Sequence, residues 1–182
     1  MRLAGWRVQG GLPKEPVVLA CGPHTSNWDF MLGLLSTRAL GSYPAVLVKA
    51  ALVRGVPGML VRALGGVGVS DAARAGQASG TVGTAAATLQ SGRSVALLPK
   101  GTRRSGAWRS GFYRMALAAR VPVCMMTFDA GKKLVTVYGP YRLTGVQAVD
   151  QAWFEHCMTG VVGVRADVQE EVRVPGQAEL AA

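Results

Sequence analysis

The run Val17-Val18-Leu19-Ala20-Cys21 is wholly apolar, begins with β-branched side chains, and is stopped by Gly22-Pro23. Directly after it, Trp28, Met31, Leu32, Leu34, Leu35 and Leu40 recur at helical spacing. A short apolar run closed by turn residues reads as a buried strand, and the 3.6-residue recurrence reads as a helix. A strand buried on both faces needs helices above and below it, which steers the chain toward a layered α/β structure. The alternation then repeats. Strands are predicted near residues 17–21, 45–48, 94–98, 121–128 and 134–138, and helices near 27–40, 57–64, 81–91, 111–120 and 146–161. The expectation is one α/β domain over residues 1–182, with a mixed or largely parallel sheet flanked by helices. A chain of 182 residues can bury about 70% of its unfolded surface, enough for one substantial core. Residues 70–80, rich in Ala, Gly and Ser, read as a loop. The polar tail from about 166 to 182, with Asp167, Glu170, Glu171 and Glu179, is expected to fray.

At the strand-to-helix junction stands the run Gly22-Pro23-His24-Thr25-Ser26-Asn27-Trp28-Asp29-Phe30. Thr25 or Ser26 can cap the helix, leaving His24 in the turn and Asp29 in the first helical turns. Inside one helix, five residues of separation would point two side chains about 140° apart, so His24 and Asp29 meet only because His24 lies off the helix axis. A carboxylate on one ring nitrogen fixes the tautomer and leaves the other nitrogen to take a proton from an alcohol. The plainer alternative is that His24 caps a turn and Asp29 favours a helix N-terminus. Acids are scarce around them: from residue 30 to 128 the only one is Asp71, against twelve Lys and Arg.

The blocks downstream weigh against the plainer alternative. Pro23-His24-Thr25-Ser26-Asn27-Trp28-Asp29-Phe30 resembles the H-x-x-x-x-D block of the glycerolipid, or lysophospholipid, acyltransferases. Pro99-Lys100-Gly101-Thr102-Arg103 resembles that family's P-E-G-T-R block, and Trp108-Arg109-Ser110-Gly111-Phe112-Tyr113 resembles the W-K-x-G-F-Y that follows it in short bacterial members. Lys49, Gly65-Gly66-Val67 and Val121-Pro122-Val123 fall in the family's order, and the likeness runs from about Trp6 into the last helix, thinning after Asp129. The chain departs from the pattern at two places. Lys100 stands where the family has Glu, and Val69-Ser70-Asp71 stands where it tends to have Arg.

The resemblance implies a glycerol-3-phosphate acyltransferase-like fold and acyl transfer from acyl-CoA or acyl-carrier protein to a hydroxyl, with lysophosphatidate the leading acceptor. It implies His24 and Asp29 as catalytic residues, and Lys100, Gly101, Thr102, Arg103, Asn27 and Lys49 as substrate-binding ones. His24 would act as base without a covalent acyl-enzyme. Backbone N–H groups around Gly101 would serve the oxyanion, since glycine lets a main chain approach closely. Arg103, with Lys100, would hold an anionic group. The departures at Lys100 and Ser70 leave two further readings: the same chemistry on a non-glycerolipid hydroxyl or amine, and a non-catalytic lipid or carrier-protein binder. No cofactor beyond the acyl donor and no metal are expected.

A net charge of +10 and a pI near 10.3 imply anionic partners, among which an anionic lipid or membrane surface and an acyl-carrier protein qualify. Arg93, Lys100, Arg103, Arg104, Arg109, Arg114 and Arg120 interleave with Trp108, Phe112 and Tyr113, yet no nucleic-acid-binding signature accompanies them, so no nucleic-acid partner is expected. Cys21, Cys124 and Cys157 are odd in number and lack C-x-x-C spacing, which suits a reducing compartment. Cys21, three residues before His24, would be a nucleophile only if its thiol were activated; a buried apolar role is the expectation. His156, beside Glu155 and Cys157, has no partner evident in sequence. Neither a signal peptide nor a membrane span is expected, since Lys49, Arg54, Pro57 and Arg62 break the most apolar stretch. A cytoplasmic protein, peripheral on the inner membrane face, is the expected placement. Leu52, Val53, Val56, Met59, Leu60, Val61 and Leu64 suit either a bilayer contact or the core, with the core preferred because an α/β sheet needs two covered faces.

Overall fold

The computed structural model describes residues 2–3, 5–69 and 79–181. In chain order the elements are β1 (Arg2–Leu3), β2 (Trp6–Gln9), β3 (Val18–Gly22), α1 (Asn27–Ala39), β4 (Ala45–Lys49), a 3-10 turn (Ala50–Val53), α2 (Gly55–Ala63) and β5 (Gly66–Val69). There follow α3 (Ser79–Gln90), β6 (Val95–Leu97), β7 (Gly106–Ala107), α4 (Gly111–Ala119), β8 (Val123–Asp129), β9 (Leu134–Tyr141), α5 (Gln147–Met158), β10 (Glu170–Glu171) and α6 (Gln177–Ala181). Eight strands form one sheet in the order β1-β2-β9-β8-β3-β6-β4-β5. Its pairs are parallel except β1 with β2 and β8 with β9, so the sheet is mixed but largely parallel.

β3 lies between β6 and β8, and all five of its residues are buried. Its side chains alternate between the two faces, as a period of two requires. Val18 and Ala20 meet Phe112, Tyr113, Met115, Ala85 and Leu89 on one side. Val17, Leu19 and Cys21 join Met126, Phe128 and Val135 on the other, where Leu32 and Leu40 of α1 close the layer. A continuous apolar run is therefore read out as two half-cores.

Two sequence expectations change. The apolar stretch of α2 is not core: Val56, Met59 and Leu60 are exposed, because that helix covers the sheet's far edge with only part of its surface. Residues 166–181 do not stand off the domain. β10 pairs with β7, Val174 is fully buried, and Gln151 bonds both the Val172 carbonyl and the Val174 N–H. Trp108, Phe112 and Tyr113 of the basic tract are buried against one another and Phe154, so their rings serve the core. Of the expected loop 70–80, residues 70–78 lie outside the described residues, while Ser79 and Gly80 already belong to α3.

Candidate active site

The central strand β3 ends at Gly22, and the turn that follows presents His24 before α1 begins at Asn27. Ser26 is the N-cap: its Oγ accepts the Trp28 N–H at 3.2 Å, and the Asp29 carboxylate reaches back to the Ser26 N–H. This reciprocal capping box satisfies donors that a helix start leaves open. Asp29 is 1% exposed, and its Oδ2 accepts the N–H groups of both Thr25 and Ser26 at 2.6 Å. The same oxygen lies 3.4 Å from His24 Nδ1. The plainer reading of Asp29 as a helix-end residue is thus true of its backbone bonds, but it does not exhaust the carboxylate.

Two buried side-chain atoms lack a hydrogen-bond partner among the described residues: His24 Nδ1 and Asp29 Oδ1. Buried polar atoms are rarely left so, and here both belong to the two residues on which acid–base chemistry would turn. An approach of roughly 0.4 Å would bring Nδ1–H to the usual N–H···O distance from Oδ2, the kind of tightening that substrate binding commonly brings.

Beside the turn opens a cleft of about 520 Å³, lined by Thr25, Ser26, Asn27, Trp28, Thr102, Arg103, Arg104 and Arg165. Asn27 and Arg103 meet there, Arg103 Nη1 donating to Asn27 Oδ1 at 2.7 Å. Three guanidinium groups around one cleft make an electropositive recess suited to a phosphate or carboxylate. Arg165 shares its charge with Asp167 at 2.7 Å.

Lys100 does not join them. Its side chain is buried and its ammonium lies 3.0 Å from Glu170 Oε2, with the Gln169 carbonyl at 3.4 Å. The expectation that Lys100 holds an anionic substrate group therefore finds no support in its position, because a buried ammonium requires its counter-charge inside the protein. Gly101, in the left-handed region at φ 65°, donates its N–H to the Leu98 carbonyl at 2.9 Å, so that donor is already engaged within the loop. The Lys49 side chain and the whole of Ser70 lie outside the described residues.

From the sequence, Glu170 and Arg165 carry no site role, and Arg104 stands only in the basic tract. Glu170 and Arg165 sit in or beside the polar tail expected to fray. An indirect signal could have led to Glu170: Lys100 follows the apolar Leu97-Leu98-Pro99 and, once buried, must find one of only 10 acidic residues.

Cys21 is buried on the apolar face, its Sγ 3.8 Å from the Leu19 carbonyl, and burial pushes its thiol up to about 12. A thiol so placed stays protonated at neutral pH and is a poor nucleophile. His156 is exposed on α5. Among the described residues, no three His, Cys, Asp or Glu side chains gather as metal donors would. No helix among them is long and apolar enough to cross a membrane.

The fold is thus a largely parallel α/β sheet with a histidine–aspartate pair just beyond the end of an inner strand, next to a cleft lined by arginines. The Acyltransferase family model matches residues 7–129, more than half of the chain, and the protein belongs to that family. No curated protein matches it significantly.

Proposed function

We propose that this acyltransferase moves an acyl group from acyl-CoA or acyl-carrier protein to the hydroxyl of a lysophospholipid such as lysophosphatidate. The observation that carries the reading is the buried His24–Asp29 contact opening beside a cleft that Arg103, Arg104 and Arg165 line. His24 Nε2 takes the acceptor's hydroxyl proton as that oxygen attacks the thioester carbonyl, and Asp29, accepting a hydrogen bond from Nδ1–H, stabilises the imidazolium by its charge. The tetrahedral oxyanion collapses, the C–S bond breaks, and the leaving thiolate takes the proton back from His24. Peptide N–H groups of Thr102 and Arg103, next along the loop from the engaged Gly101, are the donors proposed for the oxyanion. Arg103 grips the acceptor phosphate, and Asn27 holds the guanidinium at the rim.

Trp28 lines the cleft and is exposed, and Met31 and Leu35 continue an exposed apolar stripe along α1. That stripe, with a net charge of +10, supports a peripheral position on an anionic membrane face. A non-glycerolipid acceptor drew its support from Lys100 and Ser70. With Lys100 buried against Glu170, no described residue of the cleft favours that acceptor over a phosphorylated one.

The test is product identification by mass spectrometry, with labelled acyl thioester and a mixed pool of lysolipids and uncharged alcohols in anionic or neutral vesicles. The expected product is the acyl ester of a phosphate-bearing lysolipid, formed faster on anionic vesicles and slowed by salt. In folded His24→Ala the rate falls by roughly 10²- to 10⁴-fold. Near-normal transfer by that variant would remove the base; esters of uncharged alcohols alone would remove the acceptor.

A further inference from the structure

Between Val162 and Glu171 the chain runs across the active site as a strap. The Ala130 N–H donates to the Val162 carbonyl at 2.7 Å, and the Arg165 N–H donates to Thr25 Oγ1 at 3.2 Å. A Cβ on Gly163 would stand 2.5 Å from Thr25 Cγ2, so strap and turn touch at a distance only glycine permits. β10 then pairs with β7 in parallel register, Glu170 opposite Gly106. The strap lies wholly beyond residues 7–129, the part of the chain that the family accounts for.

It ends in a carboxylate directed entirely inward. Glu170 Oε2 accepts the backbone N–H of His24 at 2.6 Å and faces Lys100 Nζ at 3.0 Å, while Oε1 accepts Trp108 Nε1–H at 2.6 Å. The Lys100 and Glu170 side chains are 0% and 2% exposed. Removing two charges from water costs about as much as their attraction returns, so stability alone is a weak reason for such a pair. The geometry it fixes is a better one. The His24 ring is not anchored by its own Nδ1, which has no hydrogen bond among the described residues; what ties residue 24 down there is the bond from its N–H to Glu170.

We infer that Glu170 is a positioning residue for acyl transfer: it sets the His24 backbone so that the imidazole addresses Asp29 and the cleft together, and Lys100 is the buried counter-charge that holds its carboxylate in place. The inference rests on His24 being the base. It gives the reversed charge at residue 100 a role in catalysis without contact with substrate.

The charge swap Lys100→Glu with Glu170→Lys keeps a buried pair but moves the carboxylate away from the His24 N–H. Thioester consumption gives kcat and KM, and ring-¹⁵N spectra give the tautomer of neutral His24. Exposed His156, the only other histidine, is the internal control. The expected result is a folded protein whose kcat falls by roughly 10- to 100-fold, the scale of a small misplacement, with KM held within about threefold. His24 passes from a single Nδ1–H tautomer to a mixture while His156 is unchanged. Glu170→Gln, close in shape, gives smaller changes in the same direction and decides the matter if the swap does not fold. Parent-like kcat, or an unaltered His24 tautomer, in a folded variant reduces the pair to a structural contact. If the parent itself transfers no acyl group, the function falls, and the tautomer still shows whether Glu170 orients His24.

Discussion

Asp29 and Asp150 are both buried, at 1% and 0% exposure, yet they use their oxygens in opposite ways. Asp150 accepts from Tyr113 at 2.6 Å, from Tyr141 at 2.7 Å, from the Thr144 hydroxyl and N–H at 2.8 and 3.0 Å, and from the Gly145 N–H at 3.1 Å. Both its oxygens are saturated, and it ties α4, β9 and the start of α5 into one unit. Asp29 accepts two backbone bonds on Oδ2 and, among the described residues, leaves Oδ1 without a partner, beside a histidine nitrogen that also has none. A satisfied buried network gives rigidity, while unspent capacity next to a titratable ring is what the proposed base would draw on. Replacing each aspartate by its amide separates the two uses.

The largest effect is expected at Asp29. Asparagine can still accept the capping N–H bonds, but it cannot stabilise an imidazolium by charge. By analogy with the serine-protease triad, where the corresponding change costs about 10⁴, Asp29→Asn should lower kcat by that order with the thermal midpoint little changed. If folded Asp29→Asn kept most of its activity, Asp29 would belong with Asp150 as a structural residue.

Asp150→Asn should do the reverse, costing about 1–3 kcal/mol of stability while kcat of the folded protein stays near that of the parent. Its pH dependence carries a sign. Burial pushes the Asp150 carboxyl up, but hydrogen bonds from Tyr113, Tyr141 and Thr144 outweigh it and hold the group below its ordinary 3.8. A depressed carboxyl stabilises the fold fully above its unfolded value, and that contribution is lost as pH falls through the lower folded value. Urea midpoints of parent and variant should therefore differ most above about pH 5 and converge toward pH 2. A gap that widened in acid would contradict the assignment.

The same contrast explains what was readable in the sequence. The βα alternation was legible because the strand around Val17–Cys21 and the helix after it carry their own periodicities; β3 and α1 form within a residue or so of the expected bounds. His24 and Asp29 were legible because both partners sit in one turn, so local spacing suffices. Asp150 was not, since its partners come from residues 113, 141 and 144 and only the fold assembles them. Glu170 was hidden for the same reason, 146 residues from the backbone it holds. The short strands β2 and β5 were missed because they gain their order from β9 and β4 rather than from their own pattern. The exposed face of α2 was misassigned because apolar character alone does not say how far a sheet-edge helix is covered.

The smallest effect is expected at Cys21, which presses the comparison from another side. It stands three residues from His24, so chain proximity alone would admit it to the chemistry. Burial excludes it: its thiol is raised to about 12, sits among Val17, Leu19, Met126 and Phe128, and has a carbonyl, not the imidazole, for its nearest polar contact. Removing one sulfur from that layer leaves only a small void, so Cys21→Ala should cost roughly 1 kcal/mol of stability or less and change kcat by less than about twofold. On the proposed direct attack of the acceptor on the thioester, reactions quenched within one turnover should yield no peptide acylated at Cys21. An acyl-Cys21 species that formed and decayed at the rate of product release would make burial a poor guide to which polar groups near this site are chemical, and the contrast between Asp29 and Asp150 would lose its ground.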